Sequence, residues 1–203
     1  MKKYIKWIIL FIAIIAFGII VHYLNKGTIM YFDNWIYSMI SQTINPGLTQ
    51  FLKVITNFGG PIGIICVLVL FSVFIKNKSY TKYIWLNVII VFIMNQILKL
   101  SFFRARPDIN RLVEESGFSF PSGHSMVSTA LYGFLIYVIY KEVINEKSRN
   151  ILILVLTMLV AVIGISRIYL GVHYASDVLA GMAVSVAYLV IYIKVVEKNF
   201  KIK

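Results

Sequence analysis

Cysteine and acidic side chains are scarce in this chain of 203 residues, which excludes an internal disulfide bond and leaves a large positive net charge. The one cysteine, Cys66, has no disulfide partner and lies within an apolar run, so we expect it to pack as a small hydrophobic residue. Eight acidic residues stand against twenty lysines and arginines, which gives a formal net charge of +12. Most of these cations flank apolar segments, where they set orientation and meet anionic lipid. The composition therefore predicts no nucleic-acid partner, although such a charge would suggest one in a soluble protein.

Apolar sequence is abundant, since 60% of the residues are hydrophobic and the mean hydropathy is +0.84. A run of about 20 apolar residues is long enough to cross a bilayer core as a helix. The first such run lacks a signal-peptide cleavage pattern, so we predict that it is a retained span. Six spans are predicted in all, at residues 7–24, 46–75, 83–98, 121–140, 151–165 and 173–193. The sequence thus predicts an all-α, integral membrane six-helix bundle that forms a single domain over residues 1–203.

The segment between the first two spans, residues 25–53, has a mixed composition. Apolar residues recur in it at helical spacing after Asp33, namely Ile36, Met39, Ile40 and Ile44. This pattern predicts a short amphipathic helix on the membrane surface, with Asp33 as its cap. Asn45 and Pro46 form a typical cap and first turn for the next helix, which we expect to kink at Gly59-Gly60-Pro61.

The loop charges predict the orientation, because an even number of spans places both termini on one side. Thirteen of the twenty cations lie on that side, so both termini are predicted to be cytoplasmic in the cell membrane. The unusual polar residues then all emerge at the outer face, and they are Lys99, Arg106, Ser122, His124, Arg167, His173 and Asp177. Their convergence predicts a site at that face.

The chemistry of these groups points to an anion. His173 precedes Asp177 by four residues, which is the spacing that places two side chains on one helix face. The carboxylate can hold the proton of one ring nitrogen, so that the other nitrogen presents its lone pair as a nucleophile or base. Phosphate is the anion that best fits the cations nearby.

The groups predicted to hold that phosphate are three cations and a helix start. Arg106 and Arg167 can each grip oxygens through a planar fork, and Lys99 adds a point charge. The amides that follow Ser122 point at a bound anion, and Gly123 leaves room for a close backbone approach.

Phosphoryl transfer follows from these roles. His173 attacks phosphorus, and His124 donates a proton to the leaving oxygen and then activates the water that hydrolyses the phosphohistidine. A metal site is the alternative interpretation of these residues, because His124, His173 and Asp177 can supply three ligands. Three cations would repel a divalent ion, so we predict neither a metal nor another cofactor.

Three motifs carry a family resemblance, namely Lys99-x6-Arg106-Pro107, Pro121-Ser122-Gly123-His124 and Ser166-Arg167-x5-His173-x3-Asp177. They resemble, in order and without a missing position, the signature motifs of the type 2 phosphatidic acid phosphatase superfamily. The resemblance implies an all-helical core, a lipid-borne substrate and a metal-independent phosphohistidine mechanism with the residue roles given above. Four charged residues outside the motif positions are expected to be ordinary loop residues, and they are Arg104, Arg111, Glu114 and Glu115.

The substrate is less determined than the reaction. Similar family members act on phosphatidylglycerophosphate, on undecaprenyl pyrophosphate or on several lipid phosphates, so the resemblance supports each of these substrates. We predict phosphatidylglycerophosphate, and the alternative is undecaprenyl pyrophosphate, which an outward-facing site suits. A lipid-phosphate binding or transport protein would use the same cationic pocket without hydrolysis. In a structural membrane subunit the cations would pair with carboxylates instead of converging. The expected partners are the lipid phosphate and membrane lipids, and no oligomeric state is indicated.

Overall fold

Helices make up every regular element in the part of the chain that the computed structural model describes, residues 2–108 and 110–201. They are α1 (Lys2–Asn25), α2 (Ile29–Ser41), α3 (Pro46–Thr56), α4 (Pro61–Phe74), α5 (Ser79–Phe102), α6 (Gly123–Glu142), α7 (Glu146–Tyr169) and α8 (Ala175–Lys201). A single turn of 3-10 helix, Asn57–Gly59, joins α3 to α4. The all-helical prediction is confirmed for these residues.

Helices that could span a membrane are present in this set. Four of the described helical segments are long and apolar enough to cross a bilayer, and they are Tyr4–Asn25, Ser79–Phe102, Glu146–Tyr169 and Ala175–Asn199. A fifth candidate span is counted if α3 and α4 form one broken span. These two helices bend by 57° at Gly60. The predicted kink is therefore confirmed. Pro61 opens α4 and lacks the N–H that a continuous helix would need.

The predicted fourth span corresponds to α6, which does not reach the same apolarity. This helix packs against α5, α7 and α8, and it buries the hydroxyl-bearing residues Ser125, Ser128 and Thr129. Because other helices cover its sides, its polar groups need not face lipid. The described residues thus hold four or five candidate spans, and the count of six stays a prediction.

The core lies around α6, where Leu131 and Phe134 pack with Ile84 of α5 and Ile163 of α7. The start of α6 lies very close to α8. A Cβ on Gly181 would lie 2.9 Å from the carbonyl oxygen of Ser122, so only glycine permits this approach. The Pro-Ser-Gly turn is therefore pressed directly onto the first turns of α8.

Two local expectations were wrong. Cys66 is exposed on the surface of α4 instead of packed against other residues, because other helices cover little of α4. Asp33 does not cap its own helix, since α2 begins at Ile29 and the Asp33 carboxylate is buried. That carboxylate binds Arg104 and Ser176, which lie far away in sequence.

The remaining predictions for this region are partly confirmed. A short helix, α2, does form between the first two spans, and it lies against α7 and α8. Its position on the membrane surface stays a prediction. The cap at Asn45 is confirmed, because its side-chain oxygen accepts the N–H of Leu48 at 2.9 Å.

Candidate active site

The predicted site residues lie at one end of the bundle, where two helices end and two begin. The helix ends that supply them are the last turns of α5 and α7, with Lys99 and Arg167, and the starts of α6 and α8, with Ser122 and Asp177. The N–H of Ser122 donates to the carbonyl oxygen of Asp177 at 3.1 Å, which joins the second motif to the third. Arg106 joins the first motif to the third through His173.

His173 lies in the turn that precedes α8. Its Nδ1 is 3.4 Å from Oδ2 of Asp177, and its backbone N–H donates to the carbonyl oxygen of Arg167 at 3.2 Å. The expectation that His173 and Asp177 share a helix face was wrong, because α8 begins only at Ala175. The imidazole instead meets the carboxylate across the start of the helix, with only 3% of the residue exposed.

Asp177 is held through both carboxylate oxygens. Oδ2 accepts the N–H of Tyr174 at 2.9 Å and the hydroxyl of Ser119, while Oδ1 accepts Nη1 of Arg104 at 2.6 Å. An acidic side chain in the first turn that reaches back to the preceding N–H is one half of a capping box. The same contacts that start α8 therefore fix the carboxylate that faces His173.

These neighbours select one tautomer of His173. Asp177 and the Ser119 hydroxyl both lie on the Nδ1 side, whereas Arg106, which can only donate, lies 3.2 Å from Nε2. The ring therefore carries its proton on Nδ1 and its lone pair on Nε2. Burial lowers the pKa of His173 to about 4 against the opposing effect of Asp177, so the ring is neutral at physiological pH. The result is a neutral imidazole whose Nε2 lone pair faces Arg106.

Two of the three cations bind the loop that crosses the site. Lys99 donates to the carbonyl oxygen of Phe118 at 2.6 Å. Arg106 donates from Nε to Gly117 at 3.0 Å and from Nη2 to Ser116 at 2.8 Å, both through carbonyl oxygens. The loop is thus held by two of the cations that were predicted to bind phosphate.

Arg167 is almost fully buried, with 1% of the residue exposed. Its Nη1 donates to the hydroxyl of Thr56 at 3.0 Å and its Nη2 binds Glu115, which also lies 3.8 Å from Arg106. Glu115 was therefore wrongly expected to be an ordinary loop residue. Within the described part of the chain, the buried Nε of Arg167 has no hydrogen-bond partner. The cations thus converge and also meet one carboxylate.

The Pro-Ser-Gly turn is organised by protein contacts. Ser122 is buried and caps α6, since its hydroxyl oxygen accepts the N–H of Ser125 at 3.4 Å. A Cβ on Gly123 would lie 3.1 Å from Oδ1 of Asn95, so the close approach at this glycine comes from a side chain of the protein. Asn95 also donates to the carbonyl oxygen of Pro121 at 3.0 Å, which locks the turn to α5.

His124 follows in the first turn of α6 and lies against the Gly59-Gly60 turn. It is close enough to His173 and the three cations for their charges to act on its ring. His124 and Lys99 also line a cavity of about 370 Å³ between α4, α5 and α6. The other walls of this cavity are mainly apolar, and they include Ile64, Leu68, Trp85, Val88 and Phe92.

Arg104 is a site residue that the sequence reasoning missed. Its guanidinium forms salt bridges to Asp177 and to Asp33, each at 2.6 Å. A signal was available, because Asp33 is the sole acidic residue before Asp108. An isolated acidic residue in an apolar setting requires a buried basic partner or a hydrogen-bond donor. The identity of that partner depends on the tertiary fold.

Comparison with known proteins identifies a protein family that this chain matches. A family model described as the PAP2 superfamily matches residues 79–201, which contain all three motifs. Phosphatidylglycerophosphatase B of Bacillus subtilis (strain 168) is 33% identical over 145 residues, which cover 68% of this chain and 70% of that protein. The bacitracin transport permease protein BcrC of Bacillus licheniformis is 34% identical over 117 residues, which cover 55% of this chain and 53% of that protein.

Solved structures share the fold. The crystal structure of the PAP2 type phosphatidylglycerolphosphate phosphatase from Bacillus subtilis superimposes with a TM-score of 0.86 at 26% identity, and the match covers 93% of this chain and 96% of that one. The structure of Aquifex aeolicus LpxE superimposes with a TM-score of 0.63 at 23% identity, covering 78% of this chain and 93% of that one. The second match bears on the fold alone.

Proposed function

The chain belongs to the PAP2 superfamily and is a membrane phosphatase that acts on lipid phosphates, and we propose that it hydrolyses phosphatidylglycerophosphate through a phosphohistidine intermediate. The observation that carries this mechanism is the setting of His173, whose Nδ1 faces Asp177 and whose Nε2 faces Arg106. The substrate is suggested by a relative and a solved structure, both of which are named for this activity.

In the first step, the headgroup phosphate binds to Arg106, Arg167 and Lys99. Nε2 of His173 attacks phosphorus as the bond between phosphorus and the lipid oxygen breaks. His124, in its protonated form, donates a proton to that oxygen and becomes neutral, and the lipid alcohol leaves. The negative charge that spreads over the remaining phosphate oxygens is stabilised by the cations and by the amides at the start of α6.

In the second step, His124 acts as the base. It takes a proton from water, the oxygen of this water attacks phosphorus, and the bond from phosphorus to Nε2 breaks. Inorganic phosphate leaves, and His173 returns to its neutral state. The residues supply the nucleophile, the acid, the base and the positive charge, so the proposed reaction uses neither a metal nor another cofactor.

A bound phosphate would also accept a hydrogen bond from a donor of Arg167 that has no partner among the described residues. The Nε of Arg167 is buried and has no acceptor among the described residues. A buried donor without a partner costs free energy, and a phosphate oxygen is a suitable acceptor for it. This donor without a partner supports an anion site at Arg167.

The lipid part of the substrate fits the apolar cavity between α4, α5 and α6. The cavity, of about 370 Å³, begins at His124 and Lys99 and continues along apolar side chains. Its size is in the range of typical ligand sites. A lipid placed in this cavity would present its phosphate to His124 and Lys99, which supports a lipid rather than a soluble phosphate ester.

The proposed topology keeps six spans. The 20 residues of α6 extend about 30 Å, which is enough to cross a bilayer core while its sides are covered by other helices. On the basis of the loop charges we propose that both termini are cytoplasmic and that the site faces outward, within one domain over residues 1–203.

The test is a side-by-side assay of the protein purified in detergent, in excess chelator. Phosphate release is measured from phosphatidylglycerophosphate, phosphatidic acid and undecaprenyl pyrophosphate, with and without vanadate. We expect the fastest vanadate-sensitive turnover with phosphatidylglycerophosphate and no turnover by His173→Ala. His22→Ala is the matched control, because this histidine lies at the end of α1, outside the site.

Each other result has a definite meaning. Faster release from undecaprenyl pyrophosphate would replace the substrate and keep the mechanism. Turnover by His173→Ala would exclude the phosphohistidine. Binding or movement of lipid phosphate without any release would assign the protein to the transport class, in which the Bacillus licheniformis relative is named.

A further inference from the structure

A chain of buried charges runs from Asp177 away from the cations of the phosphate site toward α2. Nη1 of Arg104 binds Oδ1 of Asp177 at 2.6 Å, and Nη2 binds Oδ2 of Asp33, also at 2.6 Å. Neither carboxylate side chain is exposed, and the Arg104 side chain is 9% exposed. Arg104 thus bridges two acidic groups that lie on different helices.

Ser176 fixes the far end of this chain. Its backbone N–H donates to Oδ1 of Asp33 at 2.8 Å, and its hydroxyl donates to Oδ2 at 2.7 Å. The same hydroxyl oxygen accepts Nη1 of Arg104 at 2.8 Å. Asp33 therefore satisfies an N–H in the first turn of α8, although it belongs to α2.

The guanidinium of Arg104 contacts an aromatic ring with its planar face and forms salt bridges through the N–H groups at its edge. Its Cζ lies 4.0 Å from the centre of the Tyr174 ring, within cation–π distance. Tyr174 also donates its N–H to Oδ2 of Asp177. A planar fork held in this way can bind two carboxylates at once, whereas a lysine ammonium is a single point charge.

We propose that Arg104 and Asp33 are positioning residues that hold the Asp177 carboxylate against Nδ1 of His173. This inference rests on the proposed function, because the position of Asp177 affects turnover in this way only if His173 is the nucleophile. Asp33 holds Arg104, Arg104 holds Oδ1 of Asp177, and Oδ2 is thereby directed to the imidazole. The helix α2 consequently acts on the reaction without touching phosphate.

Removal of either residue should lower kcat and leave KM unchanged, because neither side chain faces the cations that bind phosphate. In Asp33→Asn, Asp177 is the sole remaining ionic partner of Arg104 in this cluster. The guanidinium then attracts Asp177 more strongly, which weakens the interaction of this carboxylate with His173. Arg104→Gln leaves Oδ1 of Asp177 without its partner. Supporting residues of this kind typically change activity by roughly 10- to 100-fold, and we expect the larger loss for Arg104→Gln.

The double variant, Asp33→Asn with Arg104→Gln, separates positioning from charge balance. It restores the net charge of the buried cluster, because one acidic and one basic group are removed together. If Arg104 only neutralises Asp33, the double variant recovers both the melting temperature and kcat. If Arg104 positions Asp177, the melting temperature rises above that of Arg104→Gln while kcat stays low.

The experiment measures kcat, KM and melting temperature for the wild type, both single variants and the double variant, in detergent with phosphatidylglycerophosphate. Asp108→Asn and Arg111→Gln are the matched controls, because they remove exposed charges from the same loop, and they should keep the wild-type kcat. A raised KM with an unchanged kcat, or a double variant with wild-type kcat, overturns the inference. A wild type that releases no phosphate from any lipid overturns the proposed function instead.

Discussion

Nη1 of Arg106 lies 3.2 Å from Nε2 of His173, so the proposed nucleophile is covered by a cation of the proposed phosphate site. In the proposed mechanism, a phosphate oxygen takes over this guanidinium, and the Nε2 lone pair then becomes free to attack phosphorus. Substrate binding and exposure of the proposed nucleophile would then depend on one side chain, Arg106. On the opposite side of the ring, Asp177 and Ser119 keep the proton on Nδ1.

Asp177→Asn should lower kcat by roughly 10,000-fold, with little change in KM. An amide in place of the carboxylate can donate to Nδ1, which moves the ring proton to Nε2 and removes the nucleophilic lone pair. Initial rates of phosphate release over a range of lipid concentrations give both constants. Asp108→Asn is the control, and a variant of Asp177 that keeps most of the wild-type kcat would contradict this assignment.

The stability of the protein should fall as pH decreases below about 6.5, partly through His173. Burial lowers the pKa of His173 to about 4, whereas an unfolded histidine has a pKa near 6.5. Between these values the unfolded chain takes up a proton that the folded protein does not, so stability is present above pH 6.5 and lost as pH falls toward 4. Melting temperatures of the wild type and His173→Asn, measured across this interval, should show a smaller pH dependence in the variant. Parallel curves would mean that His173 is not buried as a neutral ring.

Val88→Phe should impair long-chain lipid substrates selectively. Val88 lines the cavity between α4, α5 and α6, and a phenyl ring there would occupy space that we assign to the lipid chain. We expect the KM for a long-chain lipid phosphate to rise by roughly 10-fold or more, and the KM for a short, water-soluble phosphate ester to stay the same. Leu86→Phe is the control, because Leu86 is exposed on α5. Equal effects on both substrates would argue against a chain-binding role for the cavity.

Gly181→Ala should destabilise the protein by about 1 to 3 kcal/mol, the usual cost of overpacking. The added Cβ would lie 2.9 Å from the carbonyl oxygen of Ser122, and backbone cannot move aside as a flexible side chain can. The shift would displace the start of α6, so kcat should fall as well. Thermal unfolding and phosphate release check both effects. Gly18→Ala is the control, because nothing lies within 4 Å of its Cβ position, and an equal loss there would exclude the steric explanation.

The helices, their approximate limits and the residues of the three motifs could be predicted from the sequence. Apolar runs long enough for a bilayer predict spans, and Asn45 followed by Pro46 predicts the start of α3, because both signals act between neighbouring residues. The sequence also indicated an anion site, since three cations and two histidines have few other uses beside apolar helices. The start of α8 was misjudged, because the spacing of His173 and Asp177 is compatible with a helix and with the turn before one.

By itself, then, the sequence determined the all-helical membrane architecture and which chemical groups are available, through local periodicity and the cost of placing charge beside lipid. Only the tertiary structure decided which charges meet. Arg104 reaches Asp33 and Asp177 across 71 and 73 residues, and Arg167 reaches Glu115 across 52. A buried charge requires a partner of opposite sign, but this requirement does not depend on separation along the chain, so helix packing alone selects the partner.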